Sequence, residues 1–295
     1  MKSVPRGVKG AASYLVPAVH KAVQIVRHLN IRAPEGATLA ELTEAVAITR
    51  SHCHSILRTL ADESWVEYDA RERRYRLKSG LVADASSALR AMEFLTAMRP
   101  FVAALVRCVS LPCIVTQQLA DGSFIVVDRM EHPTDLGVTV HIGHRFPLDA
   151  PAQMRAALAW ADPDQIERVV AAWTPKAYTR NTIVTRAVLL RELEDTRRRG
   201  YAHSVNEYVE GVSSIAAPVF DTVGGLLCIL QCPGFFHGVM LREHETGRAL
   251  FETVREIHAQ VGGTPPCGFG DAFTGRSPGR RPRLAHGQGR SNPTK

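Results

Sequence analysis

Residues 38–77 read TLAELTEAVAITRSHCHSILRTLADESWVEYDARERRYRL, and this stretch decides the fold of the first part of the chain. Apolar residues recur at three- and four-residue spacing in two successive segments, which predicts two short helices joined by a tight turn. These positions are Leu39, Leu42 and Val46, then Cys53, Ile56, Leu57 and Leu60. Two runs of β-formers, WVEYD and RYRL, predict a hairpin with an arginine-rich tip. Together the elements predict a winged helix-turn-helix.

The second predicted helix has a polar outer face that suits DNA. Thr49 stands at its N-cap, where a side-chain oxygen accepts a hydrogen bond from a first-turn amide. A helix fits the major groove, where donor side chains reach base edges and phosphates, and arginines at a wing tip suit the narrow minor groove. The candidate DNA-binding residues are therefore Thr49, Arg50, Ser51, His52, His54, Ser55, Arg58, Arg71, Arg73 and Arg74. The alternative is a polar face that is only solvated.

Composition and charge indicate a globular protein of two domains. The chain has 295 residues, of which 45% are hydrophobic and 22% are charged, so that two separate cores are possible. The net charge of +7 is unevenly distributed, because residues 1–15, 16–78 and 262–295 contribute +3, +2 and +5, whereas residues 79–261 contribute −3. This distribution indicates a DNA-reading module joined to a domain with another role.

The cysteines and the hydropathy favour a cytoplasmic location. The six cysteines form no C-x-x-C pair and lie mostly in apolar runs, as buried thiols do in a reducing compartment. The first ten residues are basic, but no apolar segment of signal-peptide length follows them, and no run reaches the length of a membrane span. We therefore expect a cytoplasmic protein without a membrane partner.

Five segments are predicted along the chain. They are a basic flexible arm, the winged helix-turn-helix domain, a linker helix, an α+β domain and a disordered basic tail, over residues 1–15, 16–78, 79–97, 98–262 and 263–295. The α+β domain is predicted from two hairpins with turn dipeptides, a third strand over residues 135–142, and several helices. The tail is assigned from its Gly, Pro and Arg content.

Two predicted helices carry specific packing expectations. The helix over residues 16–29 is expected to pack under the helix-turn-helix through Val19, Ala22, Val23 and Val26. The helix over residues 81–95 has an a/d repeat, which favours pairing with a second copy of the chain, although docking on its own domain is the alternative. The repeat consists of Leu81, Ala85, Ala88, Met92 and Leu95. A separate helix over residues 101–109 is expected after the Arg99-Pro100 break.

No motif in the second domain indicates catalysis. His141 and His144 have the spacing of a metal pair, but no cysteine or carboxylate pattern completes the site, and two loop histidines are the simpler interpretation. The G-x-S-x-G, phosphate-loop and G-x-G-x-x-G motifs do not occur. We expect no catalytic residue, metal or cofactor. An enzyme for a small acid, with the basic N-terminus as an accessory, is the alternative to a regulator.

Two stretches of the second domain carry specific motifs. Residues 197–234 read RRRGYAHSVNEYVEGVSSIAAPVFDTVGGLLCILQCPG, and residues 141–160 read HIGHRFPLDAPAQMRAALAW. The first resembles the signature of the IclR family of transcriptional regulators, and the second is similar to the family's G-x-x-x-P-L-H-A-T-x-x-G-K-A-x-L-A segment. Ser51 and the Ile56-Leu57-x-x-Leu60 run also stand at family positions. The resemblance implies a DNA-binding regulator whose C-terminal domain, of GAF-like fold, senses a small carboxylic or aromatic acid. It also implies a homodimer or tetramer on a double-stranded DNA operator.

The resemblance further implies one effector pocket formed by three segments. Its residues are Leu136, Val138, Phe146, Ala152, Gln153, Ser204, Val212, Ser214 and Gln231. The apolar members suit a ring or a short alkyl chain, and the start of the helix at Pro151 offers free amides to an anion. The chain departs from the family at His52, Ser55, Asp149 and Ser204, so its operator and ligand are expected to be its own. Ordinary core and strand residues are the alternative interpretation.

Overall fold

The computed structural model describes residues 15–90, 92–133, 138 and 140–274, and the chain divides between Glu93 and Phe94 into two compact units. The N-terminal unit is mainly helical, and the C-terminal unit contains a six-stranded antiparallel sheet with helices. The fold class is α+β, as predicted. Residues 1–14 of the predicted arm and residues 275–295 of the predicted tail lie outside the described part of the chain.

The N-terminal unit is a winged helix-turn-helix, which confirms the prediction. Its elements are α1 (Pro17–Ile31), α2 (Leu39–Val46), α3 (Arg50–Asp62), β1 (Val66–Asp69) and β2 (Arg74–Leu77), and the two strands are antiparallel. One apolar core joins all five elements, because side chains of each are buried together. Its largest fully buried members are Ile25, Leu29, Leu42 and Leu57.

Specific backbone contacts fix the entry into α2. Thr38 and Glu41 form a capping box, in which Thr38 N donates to the Glu41 carboxylate at 2.7 Å and Glu41 N donates to Thr38 Oγ1 at 3.3 Å. Gly36 precedes this cap with a φ of +72°, and a Cβ there would lie 2.3 Å from Tyr75 O. Only glycine fits this position, because both the backbone angle and the neighbouring strand exclude a side chain.

The buried face of α1 differs from the predicted one. Ile25 and Leu29 are fully buried, whereas Val19 and Val23 are 60% and 41% exposed. The predicted Ala22 and Val26 are only partly buried at the edge of the core, so the prediction was wrong for the two valines. The helix carries apolar residues on two sides, and residue spacing does not show which side the neighbouring helices cover.

The predicted linker helix is interrupted, and the predicted break after it does not occur. Residues 80–109 form α4 (Gly80–Asp84), α5 (Ser86–Arg90) and α6 (Glu93–Val109). The serines after Asp84 favour helix ends over helix interiors, so the a/d repeat is not presented by one continuous helix. Pro100 lies inside α6 and is exposed. The buried stripe that includes Met98 and Leu105 compensates for the hydrogen bond that proline removes.

The C-terminal unit contains a sheet of six strands in the order β5-β4-β3-β8-β7-β6, and every pair in it is antiparallel. The strands are β3 (Cys113–Gln118), β4 (Phe124–Met130), β5 (Arg145–Phe146), β6 (Ala202–Val205), β7 (Val212–Phe220) and β8 (Leu226–Phe235). The β3–β4 and β7–β8 hairpins confirm the predicted ones. β8 runs through Pro233 and Gly234, beyond the predicted end of that strand.

Helices cover the two faces of this sheet. They are α6, then α7 (Pro151–Leu158), α8 (Pro163–Ala172), α9 (Arg186–Arg199), α10 (Phe236–Leu241), α11 (Glu243–Val261) and α12 (Asp271–Thr274). Side chains of α6 and α11 share a core with one face of the sheet, while small residues of α7 pack on the other. No helix in the described ranges combines the length and the apolar character of a membrane span.

Two further predictions in this unit need correction. The third strand expected over residues 135–142 falls partly outside the described residues, and its described part is not a strand; Arg145–Phe146 pairs with β4 instead. The disorder expected from residue 263 is wrong for residues 263–274. Phe269 contacts Trp160 with ring centroids 5.0 Å apart, and Phe273 stacks on Phe251 at 4.5 Å, so two aromatic rings hold this segment on the core.

Candidate nucleic-acid interface and ligand cavity

The outer face of α3 is fully exposed and carries the predicted polar side chains. Thr49 accepts a hydrogen bond from His52 N at 3.3 Å and so caps the helix, as predicted. The predicted residues of α3 are all exposed: Arg50, Ser51, His52, His54, Ser55 and Arg58. The opposite face is buried, so α3 is held by its apolar side and leaves its polar side free.

Arg50, His54 and Arg58 form a line along α3. They are spaced four residues apart, which places them on one face over about 12 Å of helix. Within the described residues, neither arginine has an ion pair or a side-chain hydrogen bond. Ser55 differs, because its hydroxyl donates to Ser51 O at 3.0 Å and so has an intrahelical partner. The donors available to a polyanion on this face are therefore the two guanidinium groups and the histidine.

The turn between α2 and α3 is fixed by its backbone. Ala47 adopts a left-handed conformation with a φ of +52°, and Ile48 N donates to Thr43 O at 3.2 Å. Lys21 Nζ of α1 donates to Val46 O at 2.6 Å, which satisfies a carbonyl at the end of α2. These contacts determine the angle at which α3 leaves the turn.

The tip of the wing is an Asx-type turn that presents two arginines. Asp69 Oδ1 accepts hydrogen bonds from Arg71 N at 2.9 Å and from Glu72 N at 3.1 Å, and these bonds, the one from Glu72 first, lower the pKa of the Asp69 carboxyl. Arg71 and Arg73 are exposed, and within the described residues neither side chain has an ion pair. Arg73 has a φ of +54°, which turns the chain back into β2.

Arg74, the third predicted wing arginine, is engaged inside the unit. Its guanidinium donates to Gly36 O at 3.0 Å and pairs with the Glu41 carboxylate at 3.3 Å. Only a third of its side chain is exposed. The backbone and side-chain hydrogen bonds from Thr38 to the same carboxylate lower the pKa of Glu41. Arg74 therefore holds the wing against the start of α2 and is less available to DNA than Arg71 and Arg73.

The C-terminal unit has a cavity of about 280 Å³, open to solvent, on the α7 face of its sheet. Eight of the nine predicted ligand residues line it: Val138, Phe146, Ala152, Gln153, Ser204, Val212, Ser214 and Gln231. The ninth, Leu136, lies outside the described residues. The cavity wall therefore draws on β6, β7, β8, the start of α7 and the loop before β5.

Eight further residues line the cavity besides the nine that were predicted as ligand-binding. They are Ile114, Val140, His141, His144, Pro151, Tyr208, Val209 and Pro233. Strand register explains several, because Ile114 pairs with Gln231 and Ser214 pairs with Pro233, so their side chains lie in rows on one face. Knowledge of the strand pairing would have found these residues; periodicity alone does not give it.

Several buried polar atoms of the cavity wall have no partner. Gln231 Nε2 donates to Ser214 Oγ at 3.0 Å, but Gln231 Oε1 has no partner within the described residues. Gln153 is 2% exposed, and its Nε2 also has none. The backbone N–H groups of Ala152 and Gln153, in the first turn of α7, likewise form no hydrogen bond with a described residue, because α7 has no side-chain cap. Such groups are costly to bury unless a ligand or water satisfies them.

A buried ion pair ties α7 to the loop that follows β6. The Arg155 and Glu207 side chains are 1% and 7% exposed, and Arg155 Nη1 donates to Glu207 Oε1 and to His203 O, both at 2.7 Å. The second pair of atoms, Arg155 Nη2 and Glu207 Oε2, is also in contact. Val205 N donates to the same carboxylate at 3.3 Å. The two cavity walls that carry Gln153 and Ser204 are thereby held together.

Aromatic rings extend the cavity wall. Phe146 lies between His144 and Tyr208, with ring centroids 4.6 and 5.7 Å away, and Tyr208 contacts Tyr178 at 4.8 Å. Tyr178 Oη donates to Asp149 Oδ1 at 2.7 Å. Burial, and then this hydrogen bond, raise the pKa of Tyr178, so the phenol remains a donor at neutral pH. Asp149 is thereby engaged away from the cavity.

No described group of three or more His, Cys, Asp or Glu side chains is arranged to hold a metal ion. A winged helix-turn-helix with an exposed polar helix face, followed by an α+β unit with a cavity, is the architecture of a DNA-binding transcriptional regulator.

Family models identify the chain more closely. The IclR helix-turn-helix domain matches residues 18–70, and the C-terminal domain of bacterial IclR transcriptional regulators matches residues 86–260. The chain therefore belongs to the IclR family of DNA-binding transcriptional regulators, and it is a regulator rather than an enzyme.

Individual relatives agree with this assignment. The chain is 27% identical to the HTH-type transcriptional regulator KdgR of Escherichia coli, over 84% of this chain and 93% of the relative. An IclR transcriptional regulator from Alicyclobacillus acidocaldarius has a TM-score of 0.72 and 28% identity, over 84% of this chain and all of the other. An IclR homologue from Microbacterium hydrocarbonoxydans, crystallised with 4-hydroxybenzoate, has a TM-score of 0.69 and 19% identity, over 83% and 98% of the two chains.

Proposed function

We propose that the chain binds a specific operator as a homodimer and that a small organic acid, bound in the cavity, modulates this binding. The cytoplasm, where a bacterial chromosome lies, is then its place of action. The observation that carries the ligand proposal is the buried and unpartnered Gln153 Nε2, which lies beside two free first-turn amides in the cavity wall. Three N–H donors without acceptors suit an anion that brings its own oxygens.

For DNA, the proposal places α3 in the major groove and the wing tip beside the adjacent minor groove. The line of Arg50, His54 and Arg58 faces the bases and phosphates, and Arg71 and Arg73 approach the minor groove. Thr49, Ser51, His52 and Ser55 lie within reach of the backbone at the start of the helix. Arg74 acts from inside the unit, through Glu41.

The size and the lining of the cavity support a particular chemical class for the ligand. At about 280 Å³ it is smaller than a typical drug-sized pocket, and it suits one ring or a short chain. Phe146, Val138 and Val212 supply apolar wall, and no Asp, Glu, Lys or Arg is among the described residues that line it. The Microbacterium relative holds 4-hydroxybenzoate. We propose the same class for this chain, an aromatic or short aliphatic carboxylic acid.

Gln153→Met is expected to weaken acid binding without destabilising the protein. Methionine keeps the length of the side chain but removes an unsatisfied buried amide, so the free energy of unfolding should stay constant or rise. Affinity for an acid should fall about tenfold or more, because a hydrogen bond to a charged group contributes roughly 1.5–3 kcal/mol. Calorimetry with benzoate, 4-hydroxybenzoate and hexanoate measures the affinity, and urea unfolding measures the stability.

Gln165→Met is the matched control, since Gln165 is exposed on α8 and does not line the cavity. Ser214→Leu, which fills the cavity from β7, should abolish binding of the same acid. A bound acid should also change the gel mobility shift that the protein causes in a DNA fragment from its own promoter. The acid itself should remain chemically unchanged. Binding that survives both Gln153→Met and Ser214→Leu would place the ligand elsewhere.

For assembly, we propose that two exposed valines of α1 and its N-cap residue Val16 pair two copies of the chain. Val16, Val19 and Val23 are 48%, 60% and 41% exposed and follow one another at three- and four-residue spacing. We propose this stripe as the pairing surface in place of the predicted a/d repeat, because the helix that would carry the repeat is divided into α4 and α5. Two copies are required because one recognition helix makes too small an interface for useful specificity.

Val19→Glu together with Val23→Glu is expected to give a folded monomer with poor operator affinity. The two carboxylates introduced on one copy repel the two on the other copy across the pairing surface. The cost of removing these carboxylates from water also opposes association. Light scattering should show about half of the wild-type mass, with an unchanged circular dichroism spectrum. Val223→Glu, at a turn position that is 87% exposed, is the control. A native mass in the double variant would mean that the chain pairs through another surface.

A further inference from the structure

The loop before β5 holds two histidines in the cavity wall. His141 and His144 are the first and last residues of a tight turn, in which His144 N donates to His141 O at 3.0 Å and Gly143 has a φ of +86°. Gly143 N donates to Val126 O at 2.8 Å, and Val126 N donates to His144 O at 2.9 Å. The turn is thereby fixed to β4. Both histidines line the cavity and both are exposed, so the two imidazoles stand where the cavity meets solvent.

These histidines are the only described cavity-lining side chains that become cations. The rest of the lining is apolar or neutral, and the first turn of α7 offers N–H groups without a full charge. A carboxylate that moves from water to the mouth of such a cavity loses part of its hydration, and a counter-ion there offsets part of that loss. The histidine pair is the one counter-ion source that the described wall contains.

The two arginines next to the turn are already paired with carboxylates. Arg129 of β4 donates to Val140 O at 3.5 Å and pairs with Glu131 at 3.0 Å. Arg145, next to His144, pairs with Asp121 at 2.7 Å. Tyr208, across Phe146, has its pKa raised by burial and stays neutral.

We infer that His141 and His144 together bind the carboxylate of the ligand, and that the protein takes up one proton from the buffer when an acid anion binds, so that an imidazolium of the pair faces the anion. The net reaction joins the free site, one proton and one carboxylate anion. This inference deepens the proposed function and rests on it, because it requires an acid in the cavity.

The pH dependence follows from the state of the free site. Burial, and then the neighbouring His141, lower the pKa of His144 below its usual value of about 6.5, so its imidazole is neutral at pH 7 in the free protein. A bound carboxylate raises this pKa. Affinity is therefore highest below the free-state pKa, falls as the pH rises through the interval up to the bound-state pKa, and is constant above it.

Calorimetry of the full chain with 4-hydroxybenzoate, benzoate and hexanoate between pH 6 and 8 tests the inference, because these acids stay ionised throughout. Wild-type affinity for an acid that binds should be about five- to tenfold higher at pH 6 than at pH 8. Titrations in phosphate and Tris at one pH should show up to one proton taken up. The amide 4-hydroxybenzamide should show neither effect.

His141→Gln and His144→Gln separate the possible outcomes. At least one of them should lower acid affinity at pH 6 about tenfold and remove the pH dependence, with a smaller change in the affinity for the uncharged amide. His244→Gln, exposed on α11 and outside the cavity, should behave as wild type. The inference is overturned, while the proposed function stands, if acid binds without proton uptake or if both variants retain the pH dependence of acid affinity. No binding of any acid to wild type overturns both.

Discussion

Glu207→Leu is expected to lower the free energy of unfolding of the C-terminal unit by about 3–5 kcal/mol, because it leaves the Arg155 guanidinium buried without a counter-ion. Arg155 is 1% exposed, so water does not replace the lost carboxylate. Arg155→Met should have a similar effect, since it strands the Glu207 carboxylate and removes the donor to His203 O. Such losses are a large part of the stability of an ordinary domain.

The double variant Arg155→Met, Glu207→Leu distinguishes a broken ion pair from a damaged core. Removing both charges leaves no buried ion, so this protein should be more stable than either single variant by roughly 1.5 kcal/mol or more. It should not recover fully, because His203 O and Val205 N lose their partners. The double variant should also bind acids weakly, since α7 and the loop after β6 are no longer fixed to each other.

Urea unfolding followed by circular dichroism measures these differences, provided that the two units are analysed as separate transitions. Arg198→Met is the control, because Arg198 pairs with Asp195 at the surface, where an ion pair contributes less than about 1 kcal/mol. A loss below 1 kcal/mol in both single variants, or strictly additive losses in the double one, would contradict a buried and coupled pair.

The N-terminal unit was predictable because its local signals agree. Apolar spacing gave α2 and α3, Thr49 gave the start of α3, and alternating β-formers gave the wing. What the sequence left open was the environment of each apolar stripe. Both sides of α1 have helical periodicity, and only the packed structure shows that Ile25 is covered while Val19 is not. Pro100 and Phe269 were misinterpreted for the same reason, since burial of neighbouring side chains outweighed the local preference.

The cavity depended on a different kind of information. Resemblance to the family brought together residues as distant as Phe146 and Gln231, which periodicity does not connect. It missed Ile114 because that side chain enters through strand register, and it left His141 and His144 as loop residues because only the turn fixed to β4 brings them to the cavity. Unpartnered atoms such as Gln153 Nε2 are visible only when every hydrogen bond is placed.

Arg50→Ala and Arg58→Ala are each expected to weaken operator binding by about 2–6 kcal/mol, which is roughly 30-fold or more in affinity. A lost base or phosphate contact costs about 1–3 kcal/mol, and a homodimer loses the contact in both half-sites. The folded state should be unaffected, because both side chains are exposed and have no partner within the described residues. Arg191→Ala, exposed on α9 of the other unit, removes the same charge and is the control.

The way in which affinity falls identifies what each arginine touches. Loss of a base contact relaxes the preference for the operator over unrelated DNA. Loss of a phosphate contact weakens binding to operator and unrelated DNA equally, and it reduces the slope of log affinity against log salt concentration by about one per contact. Fluorescence anisotropy with operator and scrambled fragments, at several salt concentrations around 150 mM (roughly physiological), separates the two. Arg58 lies about 12 Å along α3 from Arg50, so the two arginines are expected to contact different phosphates or base pairs. If neither variant differs from Arg191→Ala, α3 is not the recognition helix.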